Sequence, residues 1–146
     1  MRIVNLASLL APGIVFMSLA ACGGAGPSLS ADPGWAAALD ELKGTVSAST
    51  GYPAAAIKLL ASPAHVRVSI SDSRLAQADQ ATRENAATAV VAALEKSMAS
   101  NTRFASVVAV SVAIIHAPEG SARGSHVEDV VDFRKGPNQR FALHIT

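Results

Sequence analysis

Residues 65–115 run HVRVSISDSRLAQADQATRENAATAVVAALEKSMASNTRFASVVAVSVAII, and two strand patterns flank a helix pattern within them. From His65 the period is two. Val66, Val68 and Ile70 alternate with Arg67, Ser69 and Ser71, as in a strand with one face buried. Asp72-Ser73 ends it. Between Asp79 and Ser100 the spacing becomes helical, with Ala87, Val90, Val91, Leu94 and Met98 on one stripe. Glu84, Thr88 and Glu95 lie largely opposite. Val107 to Ile115 (VVAVSVAII) is apolar on both faces and rich in β-branched residues, which suits a central strand. A strand–helix–strand crossover of this kind leaves its two strands parallel.

Downstream, Val127 to Arg134 and Arg140 to Ile145 read as two further strands, joined at Gly136-Pro137-Asn138. A polar loop containing Pro118-Glu119-Gly120 and Gly124-Ser125 precedes them. Both connections are short enough for antiparallel pairing. Upstream, Asp32-Pro33 places a capping carboxylate and a first-turn proline before Trp35, Ala38, Leu39, Leu42 and Val46, so an amphipathic helix is expected over 34–48. Gly51-Tyr52-Pro53 breaks it. Residues 54–61 (AAAIKLLA) read as a second short helix ended by Ser62-Pro63. The expected fold is therefore α+β: an N-terminal helix, then a β-α-β-β-β unit forming a four-stranded mixed sheet with helices mainly on one face.

The N-terminal segment has a different character. Arg2 is followed by an uncharged stretch from Ile3 to Ala20, then by Leu19-Ala20-Ala21-Cys22. A charged start, an apolar run and a small-residue exit form an export signal. These four residues resemble the lipobox of bacterial lipoproteins. The resemblance covers residues 1–22 and implies cleavage before Cys22, a diacylglycerol on its thiol and, often, an acylated amino group. Two or three acyl chains make a stable anchor where one does not. Gly23, in place of the aspartate that favours inner-membrane retention in enteric-type lipoproteins, points to the outer membrane of a two-membrane cell, facing the periplasm. The alternatives are an uncleaved transmembrane helix, which Asn5, Ser8, Pro12 and Gly13 weaken, and an ordinary secretory signal. Residues 23–34 (GGAGPSLSADPG) are too small and polar to order themselves and form a flexible spacer. The domain plan is a signal peptide over 1–21, a lipidated cysteine and linker over 22–34, and one globular domain over 35–146.

Composition narrows the function classes. Half of the 146 residues are hydrophobic and 16% are charged. Without Arg2 the basic and acidic residues balance at eleven each, and aromatic residues are 4%. Neither charge nor stacking side chains favour nucleic acid as a partner. Cys22 is the only cysteine, so no disulfide framework exists. The chain has no phosphate loop, no H-E-x-x-H, no C-x-x-C, no G-x-S-x-G and no S-x-x-K. No cofactor is implied.

The candidate polar site is Asp129, His116 and His126. Alternation puts Asp129 on the apolar side of its strand beside Val127, Val131 and Phe133, where a carboxyl needs a partner such as an arginine, or stays protonated. Glu128 and Asp132 share the other, solvated face with His126 and Arg134. His65, His116, His126 and His144 all sit near strand ends, a placement that does not by itself gather metal ligands. Arg134-Lys135 could meet an anionic surface, though two adjacent cations on a turn are more often merely solvated. Val108, Val110, Val112 and Ile114 could line an apolar pocket, though a β-branched row in a central strand is far more often core. The sequence thus points to a membrane-anchored, non-enzymatic module that binds an envelope protein, with residues 140–146 as a candidate edge strand. Two alternatives are a small-ligand domain with a pocket between the long helix and the sheet, and a hydrolase using Asp129 with a histidine.

Overall fold

The computed structural model describes residues 32–116 and 126–144. The segments expected as leader and spacer up to residue 31, with Cys22, and residues 117–125 and 145–146 lie outside them. Within them, Asp32 caps α1 (Pro33–Thr50) by accepting from the N–H groups of Gly34 and Trp35 at 2.7 and 3.3 Å. Gly51, at φ 73°, closes the helix by donating to the Ser47 carbonyl, a left-handed conformation that costs glycine nothing. Ala38, Leu39, Leu42 and Val46 make the buried stripe.

The segment expected as a second helix is not one. After a single 3-10 turn at Ala54–Ala56 the chain enters β1 (Ile57–Ala61), which pairs antiparallel with β2 (His65–Ile70). Ser62 and His65 exchange backbone bonds at 2.8 and 3.3 Å, leaving Pro63-Ala64 as a two-residue turn whose proline presets the bend. Ser62-Pro63 therefore turns a hairpin where a helix end was expected. Leucine and alanine favour helix only weakly, and a full ladder with β2 overrides that preference. Ile57 and Ala61 are buried while Lys58 and Leu60 are exposed, the alternation of a strand.

Asp72 then caps α2 (Ser73–Ala76), a short helix the sequence did not announce, which buries Leu75. Asp79 caps α3 (Gln80–Ala99), and the expected stripe of Ala87, Val90, Val91, Leu94 and Met98 is buried, with Ala93 beside it. β3 (Ala109–His116), β4 (Val127–Lys135) and β5 (Phe141–Leu143) complete the sheet. Its order is β1-β2-β3-β4-β5, so it has five strands, one more than expected. β2 and β3 are parallel and every other pair is antiparallel, as the connections implied. Val107 is buried ahead of β3, whereas Val108 is 51% exposed and not core.

The register fixes the two faces. Val66, Val110 and Phe133 align, as do Leu59, Val68, Val112 and Val131, and Ile57, Ile70, Ile114 and Asp129. These rows lie under α1 and α3 and supply most of the core. Each fully buried valine or isoleucine there contributes about 1.5–3 kcal/mol of transfer free energy. The opposite face is polar and small: Ser69, Ala113 and Val130 in one row, Arg67, Ser111 and Asp132 in the next. Ala113 is nonetheless fully buried. Arg67 stands beside Ser111, Glu128 beside Ile115, and their ion pair crosses the strand between those positions, over Ala113. A larger side chain at 113 would meet that bridge.

Candidate functional site

A helix that crosses between parallel strands runs back against them, so the start of α3 lies near the end of β3 and the start of β4. That brings Arg83, in the first turn of α3, to Asp129. Its Nε lies 2.5 Å from Asp129 Oδ2, and His116 Nε2 lies 3.2 Å from the same oxygen. Neither nitrogen is aligned as a hydrogen-bond donor, so the Arg83 contact acts through charge. The side chains of Arg83 and His116 are 16% and 13% exposed, and that of Asp129 is 36% exposed. Asp129 thus sits on the apolar face, as its parity required, but at the rim and beside an arginine. His126 is exposed and takes no part in this contact. With His116 it borders a separate shallow hollow that includes Asp72 and Ser73.

A second polar group lies on the opposite face. His65 Nε2 is 2.8 Å from Ser111 Oγ, and Ser111 Oγ donates to Asp132 Oδ1. A hydroxyl has one proton. Given to Asp132, it leaves Ser111 to accept from His65, whose Nε2 then carries hydrogen. Serine therefore stands between acid and imidazole. Nucleophilic catalysis needs the imidazole in the middle, with a free lone pair facing the hydroxyl. The group borders an open hollow of about 320 Å³ lined also by Arg134 and His144. Asp129 and His116 are on the other side of the sheet and cannot complete it.

Sequence reasoning missed three of these features. Arg83 was hidden because its position depends on the direction of α3. The His65–Ser111–Asp132 chain follows from a register that joins three strands, and only the alternation of Ser111 with Val110 and Val112 hinted at it. Glu95, expected on the solvent side, is 19% exposed and accepts from the Phe141 N–H at 2.5 Å, with Arg140 3.6 Å away. Lys135 lies 5.3 Å from the Phe141 ring centroid, so of the basic pair only Arg134 is exposed. Among the described residues no three His, Cys, Asp or Glu side chains are grouped as metal ligands. None of the described helices is long and apolar enough to cross a membrane.

The backbone edges complete the picture. Ser71 N–H donates to the Ala56 carbonyl, and with the Ser62–His65 pair this fixes the ladder: Ala56, Lys58, Leu60 and Ser62 face β2. Ile57, Leu59 and Ala61 therefore turn their backbone groups outward. Ile57 N–H closes on Ala54 O, which leaves the N–H groups of Leu59 and Ala61 and all three carbonyls without a partner among the described residues. At the other edge, β5 turns Phe141 and Leu143 outward, and Glu95 occupies the Phe141 N–H. β1 is the open edge and β5 the blunted one.

No family model, curated protein or solved structure matches this chain.

Proposed function

We propose that this chain is a lipid-anchored envelope protein, tethered through Cys22 on the periplasmic side of the outer membrane, whose domain binds another polypeptide by strand addition at β1. The unpaired ladder of β1 carries this reading. An exposed strand edge offers alternating donors and acceptors to an extended segment, and the bonds formed are independent of the partner's side chains. The edge expected at residues 140–146 is the less suitable of the two, because Glu95 already takes one of its donors. The lipobox-like Leu19-Ala20-Ala21-Cys22 supports the address, and no catalytic step is assigned.

A small-ligand role has less support. The space between α3 and the sheet is filled by Val90, Leu94, Val68 and Val112, all fully buried. A hydrolytic role would draw on Asp129 and His116, which do meet, but among the described residues no hydroxyl or thiol is hydrogen-bonded to either.

Two measurements test the proposal. Intact-mass analysis of the chain from its native host should show cleavage before Cys22 and a diacylglycerol on it, and Cys22→Ser should retain the leader. A photo-activated benzophenone residue at position 58 or 60 should crosslink to a polypeptide in intact envelopes, and the same probe at Asn138 should not. An unmodified thiol would remove the anchor, and absence of any adduct at β1 would remove the binding role.

A further inference from the structure

We infer that the segment β1 receives is β1 of a second copy of this chain, paired antiparallel about a two-fold axis through Leu59. This rests on the strand-addition reading above and names its partner.

Three observations carry it. First, the free edge is complementary to itself. With Leu59 opposite Leu59 of the second copy, each Leu59 N–H meets the other Leu59 carbonyl, and each Ala61 N–H meets the other Ile57 carbonyl. The donor that is missing from this ladder, Ile57 N–H, is the one already closed on Ala54. Second, Leu60 is 55% exposed on the edge strand, on the face away from the helices. In the proposed register it lies directly opposite Lys58 of the second copy, whose methylene stem covers it while the ammonium reaches water. Third, Lys58 opposes one of the two neighbouring registers. A slip by two residues would set Lys58 opposite Lys58, and like charges directly opposed destabilise a sheet. A lysine on an edge strand normally guards against pairing. Here it opposes that slip and, in the proposed register, covers Leu60.

The two-fold axis stands perpendicular to the sheet, so both helical layers fall on one side and both His65–Ser111–Asp132 faces on the other. A five-residue edge makes a weak contact in dilute solution. Confinement to one membrane raises the effective concentration of each copy for the other.

The full chain, carrying the benzophenone residue at position 60 and expressed in a lipoprotein-processing host, provides the first test. The expected product is an adduct of twice the chain's mass. The second test is sedimentation equilibrium of the full chain in detergent micelles. Leu60→Lys should weaken self-association about fivefold, by facing Lys58 twice across the axis, and Leu60→Glu should strengthen it by a similar factor. Leu59→Pro removes an outward donor without touching a bond to β2 and should abolish the dimer. An adduct only with a different polypeptide would overturn self-pairing and leave strand addition standing, whereas no adduct would overturn both. Equal association of the Lys and Glu variants would overturn the register.

Discussion

Removing the Asp129 carboxyl would leave Arg83 and His116, both largely buried, facing each other without an anion between them. The cost is mainly the desolvation of the abandoned guanidinium, so Asp129→Ala should destabilise by about 1–3 kcal/mol in urea denaturation. Glu128→Ala breaks the Arg67 pair, whose side chains are 36% and 45% exposed, and should cost under about 1 kcal/mol. Equal losses in the two variants would show that burial does not distinguish these contacts. The parity that placed Asp129 among Val127, Val131 and Phe133 was legible in the sequence, because a strand's side chains alternate without regard to its neighbours. That Arg83 would answer it was not, since the sequence specifies the need for a partner and only the crossing of α3 supplies one. The histidines were illegible for the same reason: His116 joins a cluster, His65 joins another, and His126 joins neither.

At the level of elements, the longest periodic segments were readable and the shortest were not. α3 and β2 each contain enough repeats to separate a helix from a strand, and both appear within a residue or two of their expected limits. β1 has five residues, too few to show period two against the helix-favouring Ala and Leu around them. Its identity depends on the Pro63 turn and on β2. The caps give a test at this scale. Asp72 is held below the ordinary aspartate value by its bond from the Arg74 side chain, and Asp79 by its bond from Thr82. A depressed folded-state value means that the unfolded chain takes up the proton first. The stabilisation is thus present above the ordinary aspartate value of 3.8 and is lost as pH falls through the lower folded values. Urea midpoints should therefore hold near pH 5 and decline below about 4. In the Asp72→Asn, Asp79→Asn double variant, where the amides still cap but carry no charge, that decline should be shallower. An unchanged acid slope would assign it to other carboxylates.

For the whole molecule, the strands lie side by side in the order in which the chain makes them. Three of the four pairings join strands adjacent in sequence through short or local connections, and only β2 with β3 must close across the segment 71–108. Closing that loop carries the largest entropic cost of assembly, and the buried stripe of α3 provides the compensating contacts. Val90→Ala should consequently slow refolding in stopped-flow experiments, whereas Ile57→Val, in a hairpin that can add afterwards, should mainly accelerate unfolding. The reverse pattern would place the nucleus in the hairpin. If the order is as expected, β1 is the last strand to be secured and the first to fray, so the open edge of the sheet is also the part of the domain whose loss a protease would detect earliest.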